Sequence, residues 1–318
     1  MRAVHDTLDP QLRRRPTAAV RRWVGAALGG EVMATRRLAG GISSATRAVT
    51  VDRTDGTRVR AVLRTFVDEE WLAAEPDLAA REGAVLQLLE QAGVRAPRLL
   101  AVDPDGAATG AVCLLMTLEP GRPVNDPADR RPWIAGLVDA LGEIHALAPP
   151  PIPGLRDQYA RLDLHTQQAR PQRHGLEVDP ELWEHVARRW PTVSRRPATM
   201  IHDDFHPGNV LWSRGRLTSV VDWTGAGVGE PEADACYLRL DVSLVSGLDA
   251  GDEVLAAYEA AAGAPVADRP FWDLVAAVRA KGAAHLWWGS YVDTGLAVTL
   301  PEVEQRLDGF IARAVADL

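Results

Sequence analysis

Apolar positions along the chain change their period near residue 120, and that change divides it. Residues 16–28 place Val20, Trp23, Val24 and Leu28 on one helical face; Pro16 suits the first turn and Gly29-Gly30 a stop. The following segments are β-like. ATRAVTV (45–51) and RVRAVLRTF (58–66) are strand runs, and Asp55-Gly56 between them is a hairpin signal. A striped helix spans 78–92 and ends at Gly93, before two more strand-like runs, LLAVDP and AVCLLMTL, that turn at Asp105-Gly106. Beyond Glu119-Pro120-Gly121 the period is helical, over 129–147, 180–190, 250–262, 268–288 and 301–317. One strand–turn–strand island at 200–223 interrupts these helices. A strand-rich front and a helical back predict an α+β fold with two lobes. Residues 1–120 form the first, with a helical N-terminal extension, and 121–318 the second, in which the Pro-rich piece 148–153 is a rigid loop.

Composition narrows the function. A chain of 318 residues, 47% hydrophobic and 25% charged, has the balance of an ordinary soluble globular protein. A formal net charge of −8 argues against sequence-independent nucleic-acid binding. It is compatible with a cationic substrate or with a surface that only serves solubility. Cys113 and Cys236 stand far apart and define neither a disulfide framework nor a zinc site, so a reducing cytoplasm is the simplest setting. No apolar run approaches the roughly 20 residues of a membrane helix, and the N-terminus carries no secretory h-region. Lys281 is the only lysine, so a cation needed elsewhere must be Arg or a metal.

The chemistry concentrates in MIHDDFHPGNVLWSRGRLTSVVDW (200–223). Two short strands flank Ser213–Arg216, a polar loop with His202, Asp203, Asp204, His206 and Asn209 precedes the first, and Asp222 ends the second. Asp204, Asn209 and Asp222 are thereby brought to the ends of one hairpin. Phosphoryl transfer asks for such a set: a carboxylate to orient a hydroxyl and take its proton, and hard oxygens to hold Mg²⁺ against nucleotide phosphates. The spacing His-x-Asp-x-x-x-x-Asn with a downstream Asp is the kinase catalytic-loop pattern. A rival reading puts His202, Asp204 and His206 on one face of an extended strand as the ligands of a metal hydrolase; Pro207-Gly208 would break that strand.

Upstream, Gly40-Gly41 with Ser43 and Ser44 could cradle an anion, or be an ordinary helix-to-strand turn. Arg64 is the best candidate for the cation facing the α/β-phosphates. Glu82 on the next helix either pairs with it or is a surface carboxylate. Leu114–Leu118, including Met116, would be the interlobe hinge whose backbone meets the adenine. For the acceptor, Asp203 and His206 lie beside the proposed base, while Trp287, Trp288, Tyr291 and Asp293 could hold a sugar or a cationic amine or, for the two Trp, be helix core.

These residues resemble the aminoglycoside phosphotransferase/choline kinase-like superfamily over roughly residues 20–310, most specifically at HDDFHPGNVLW and VVDW. The resemblance implies a bilobal protein-kinase-like fold, ATP (or GTP) and Mg²⁺ as cofactors, Asp204 as catalytic acid–base, Asn209 and Asp222 as metal ligands, and Asp234 as a structural Asp closing the region. It implies transfer of a γ-phosphate to a small-molecule hydroxyl. Antibiotics (aminoglycoside, macrolide or nucleoside type) come first, then primary metabolites (sugar, amino alcohol, homoserine), and last a non-catalytic ligand-binding relative. The enzyme would be a monomer or homodimer. Two departures stand out: Asp203 where the family often has Gly, and Arg64 where Lys is more usual.

Overall fold

The structure, a computed structural model, describes residues 10–39, 44–166, 172–173, 176–177 and 179–318. Helix α1 (Ala18–Leu28) begins two residues beyond the expected start at Pro16. Thr17 caps it by accepting from the Val20 N–H at 3.2 Å, and Gly29 closes it at φ 73°. Strands β1 (Gly30–Arg37), β2 (Ser44–Arg53), β3 (Arg58–Phe66), β4 (Leu99–Asp103) and β5 (Cys113–Thr117) form one antiparallel sheet in the order β1-β2-β3-β5-β4. Helices α2 (Glu69–Ala74) and α3 (Leu78–Ala92) lie between β3 and β4.

Strand β1 was not among the expected strands. It is an edge strand, and of GEVMATRR only Val32 is buried, so no alternating pattern shows. Strand β1 pairs antiparallel with β2, so a strand and not a helix precedes the glycine-rich segment. Gly40, Gly41 and Ser43 themselves lie outside the described residues.

The sheet is covered on both faces, which settles where Arg64 points. Ala61, Leu63 and Leu115 pack with Val20, Val24 and Leu28 of α1. Val62, Leu114 and Met116 turn the other way, into a cluster with Leu86 and Leu89 of α3 and with Trp133, Leu137, Met200 and Trp223 of the second lobe. Arg64, two residues from Val62, shares that second face. One apolar core thus spans both lobes beneath the cleft.

The second lobe contains β6 (Arg122–Pro123), α4 (Arg131–His145), β7 (Arg156–Asp157), α5 (Gln158–Thr166), β8 (Gln172–Arg173), β9 (Leu176–Glu177), α6 (Pro180–Arg189), β10 (Thr199–Ile201), β11 (Val210–Ser213), β12 (Arg216–Val220), β13 (Gly227–Gly229), α7 (Pro231–Ser246), α8 (Leu248–Ala262), α9 (Arg269–Lys281), α10 (Ala284–Asp293) and α11 (Leu300–Ala316). The expected α+β, bilobal architecture is present. Helix α7 was missed because 13 of its 16 residues are buried, which leaves no polar face to reveal the helical period. The single helix expected over 268–288 is two, α9 and α10, parted at Gly282-Ala283.

The hinge also moves. Leu114–Thr117 are inside β5, so the chain crosses between lobes over Leu118–Gly121. Gly121 sits at φ 117°, and a Cβ there would lie 2.7 Å from the Trp212 carbonyl oxygen, so only glycine fits. The Thr218 hydroxyl donates to the Pro120 carbonyl at 2.6 Å, and β6 pairs with β11, tying the crossing to the hairpin that carries the chemistry.

Candidate active site

The loop 202–209 is held from beneath by Asp234 in the first turn of α7. Its Oδ2 accepts from the His202 N–H and its Oδ1 from the Asp203 N–H, both at 2.8 Å, and His145 Nε2 lies 3.1 Å from Oδ2. Asp234 is fully buried, so two buried backbone donors depend on it. His202 is fully buried against Trp223, ring centroids 4.6 Å apart. Its Nε2 lies 3.1 Å from the Val221 carbonyl, which can only accept, so that nitrogen is assigned the proton. Burial lowers its pKa and keeps the ring neutral. His206 Nδ1 instead accepts from the Gly208 N–H at 3.2 Å. The trio His202, Asp204 and His206 therefore does not share a face, and among the described residues no three His, Cys, Asp or Glu groups converge as a metal site.

Asp203 adopts φ 57° and Asp222 φ 67°, left-handed conformations that non-glycine residues seldom take. Glycine adopts such a conformation without the steric cost a Cβ brings. Here Asp203 is fixed by its side chain: Arg161 Nη1 donates at 3.0 Å and Arg279 Nη1 at 3.2 Å.

Asp204 is half-buried and faces the cleft. Its Oδ1 accepts from Tyr237 Oη at 2.7 Å and from Arg279 Nη2 at 3.2 Å. Asn209 Nδ2 donates to the Asp204 carbonyl at 3.0 Å and stands 3.4 Å from Oδ2. The Val221 N–H donates to the Asn209 carbonyl at 2.8 Å, which sets Asn209 beside Asp222. Both line the same cavity. The pair fits Mg²⁺: an amide oxygen and a carboxylate are hard donors, and the carboxylate is ionised.

Arg64 supplies that ionisation. Its Nη1 lies 2.7 Å from Asp222 Oδ1 and 3.2 Å from Glu82 Oε1. For Asp222, burial pushes the carboxyl up, but the charge and hydrogen bond of Arg64, with the Thr224 hydroxyl at 2.8 Å, hold it at about 2. Glu82 loses the competition. Burial, only partly offset by the more distant Arg64, pushes it up to about 7. One guanidinium cannot serve two buried carboxylates equally, and the closer one takes most of its field.

A cavity of about 1300 Å³ opens between the lobes. Leu38, Val62, Met116, Leu118 and Leu211 form an apolar slot at its hinge side. Ser44 is not on the cavity wall. It is buried at the start of β2, its hydroxyl 3.4 Å from that of Thr46. On the helical side the cavity is lined by Asp203, His206, Trp287, Tyr291 and Asp293, among others. Trp288 is not part of that wall; its indole N–H donates to the Val298 carbonyl at 2.9 Å, and its ring packs into the helical core. Tyr291 is buried and donates to Asp241 at 2.7 Å, and Asp293 pairs with Arg37 of β1 at 3.0 Å, across the two lobes.

Sequence reasoning missed Tyr237, Asp241, Arg161 and Arg279. Asp234, Tyr237 and Asp241 recur at helical spacing, so one face of α7 supports the loop; only recognition of that helix would have exposed the pattern. Arg279 lies over the Tyr237 ring, 4.1 Å from its centroid. It comes from α9, 75 residues beyond Asp204, and no local motif marks it.

The sheet, crossing, loop and helical lobe define the architecture of a kinase-like phosphotransferase. The model of the phosphotransferase enzyme family matches residues 34–275, and the chain belongs to that family. No curated protein matches it at the sequence level. Among solved structures it is similar to aminoglycoside phosphotransferase APH(4)-Ia (TM-score 0.61, 15% identity, covering 93% of this chain and 98% of that one). It is also similar to a candidate aminoglycoside phosphotransferase from Ralstonia eutropha JMP134 (0.60, 16%, 95% and 97%). A third is macrolide 2'-phosphotransferase MphH from Brachybacterium faecium (0.53, 19%, 90% and 95%). These likenesses concern the fold. Among the described residues no helix is long and apolar enough to cross a membrane.

Proposed function

We propose that this chain transfers the γ-phosphate of ATP (or GTP) to a hydroxyl of a small molecule, with residues 1–120 binding nucleotide and 121–318 the catalytic loop and acceptor. The observation that carries this reading is the convergence of Asp204, Asn209, Asp222 and Arg64 on one interlobe cavity. A structure of similar fold, 17% identical, was solved as a ternary complex with ADP and hygromycin B, which supports a nucleotide and a small-molecule acceptor as the ligands. Hydroxylated antibiotics of aminoglycoside, macrolide or nucleoside type are the first acceptors to test, and primary metabolites the second.

Tyr237 and Arg279 both donate to Oδ1 of Asp204, while Oδ2 is met only by Asn209 Nδ2 at 3.4 Å, so Oδ2 keeps a lone pair to receive the acceptor's proton. As the acceptor oxygen bonds to the γ-phosphorus, the bond from phosphorus to the β-bridging oxygen breaks and ADP leaves. Mg²⁺, held by Asn209 and Asp222, would supply charge that offsets the phosphate oxygens. Arg64 would pair with the phosphates, anchored by Glu82. The slot of Leu38, Val62, Met116 and Leu211 would take the adenine, whose polar edge meets the backbone near Leu118. A coupled ADP-release assay with Mg·ATP and an acceptor panel should show acceptor-dependent turnover; failure to bind Mg·ATP in calorimetry would sink the proposal.

A further inference from the structure

We propose that the acceptor is a hydroxyl compound with a broad apolar body and at most one positive charge, and that polycations are poor acceptors; this rests on the phosphotransferase reading above. The acceptor end of the cavity contains enough carboxylates to suggest a polycation site, but each one has a partner already. Asp203 is clamped between Arg161 and Arg279. Asp241 accepts from Tyr291 Oη at 2.7 Å. Asp293 holds Arg37. Asp204 receives Tyr237 and Arg279, and a group bound to it for catalysis must leave Oδ2 open.

A polyamine loses the water around each ammonium on binding, and needs an unpaired carboxylate in return. Recruiting Asp203, Asp204 or Asp293 means breaking an existing ion pair and stranding its guanidinium inside the cavity, and recruiting Asp241 means displacing the Tyr291 hydroxyl. Arg37, Arg161 and Arg279 offset three of those four carboxylates, which leaves field for about one added positive charge and not for several. Among the described residues, that wall also carries the polar Gln158, Ser290 and Thr294 and a larger set of apolar side chains. Leu162, Trp183, Val275, Val278, Leu286 and Trp287 come from α5, α6, α9 and α10 and line the cavity. Half-buried apolar side chains on a concave wall are stabilised by an apolar ligand and gain nothing from a strongly hydrated one.

The test uses the full chain with Mg·ATP. Erythromycin, tylosin and clindamycin serve as amphiphiles carrying one amine each, and hygromycin B and kanamycin A as polycations. Calorimetry reads Kd and a coupled assay reads ADP release. At least one amphiphile should bind about tenfold or more tightly than either polycation, with ADP release following the same order. Trp287→Ala should weaken that amphiphile while leaving the Kd for Mg·ATP unchanged. Equal or tighter binding of a polycation, no binding of any amphiphile, or no effect of Trp287→Ala overturns the inference while Mg·ATP binding keeps the phosphotransferase reading intact. Loss of Mg·ATP binding in the wild type sinks that reading, and the inference with it.

Discussion

The catalytic loop and the acceptor wall are built in opposite ways. Asp204, Asn209 and Asp222 lie within 19 residues of one another and are delivered by one hairpin. A single buried carboxylate, Asp234, anchors the loop through two backbone amides. The acceptor wall is drawn from α5, α6, α9 and α10, and its charges come from residues as distant as Arg37 and Asp293. Placement of the chemistry thus rests on a few local, deeply buried bonds. The acceptor end rests on how separate helices pack, so its shape can change through substitutions that leave the loop untouched. Such a division lets one reaction serve many acceptors.

If that contrast is right, substitutions in the loop should be far costlier than those at the rim. Asp204→Ala removes the proton acceptor and should lower turnover by about 10²–10⁴-fold, with the Kd for Mg·ATP little changed; a variant retaining most of its turnover would reassign the base. Asp234→Ala should cost about 3 kcal/mol or more in denaturant unfolding, because two backbone donors and His145 lose a buried partner. An unfolding midpoint equal to wild type would show that the loop is held by something else.

The two carboxylates around Arg64 should titrate in opposite senses. Asp222, held at about 2, stabilises the fold above the ordinary carboxylate pKa, and that contribution is lost as pH falls from about 4 toward 2. Glu82, pushed up to about 7, behaves inversely. Its protonated form is favoured in the fold, so its contribution is full below about 4.5 and is lost as pH rises toward 7. Unfolding free energies across pH 4.5–7 should therefore fall for wild type relative to Glu82→Gln; a parallel pair of curves would mean that Glu82 is ionised throughout. The smallest effect belongs to the rim. Arg37→Ala removes a partly exposed interlobe ion pair and should change stability by no more than about 1 kcal/mol, and a larger loss would make that pair a structural tie between lobes.

Legibility followed the same division. The strands β2 and β3 were readable as β-prone runs on either side of the turn dipeptide Asp55-Gly56, and the helix α3 by its apolar stripe ending at Gly93. Arg64 and Glu82 were readable as a candidate pair only by analogy with the strand Lys–helix Glu pair of kinases, and the structure places them 3.2 Å apart. β1 and α7 were not. An edge strand with one buried side chain and a helix buried nearly all round both lack the contrast that periodicity detects. Trp288 was misplaced for a related reason: adjacent helical residues point about 100° apart, and the sequence does not say which of Trp287 and Trp288 faces the cleft.

From its sequence alone, then, this protein was determined to have a strand-rich front, a helical back and a hairpin carrying an ordered set of acid, amide and acid, because those features depend on residues close together along the chain. Only the tertiary structure decided that Tyr237 and Arg279 hold Asp204, that Arg64 favours Asp222 over Glu82, and that the acids of the acceptor end are already paired. Those outcomes are set by distances between residues dozens to hundreds of positions apart, where a few tenths of an ångström and the loss of water determine which charge prevails.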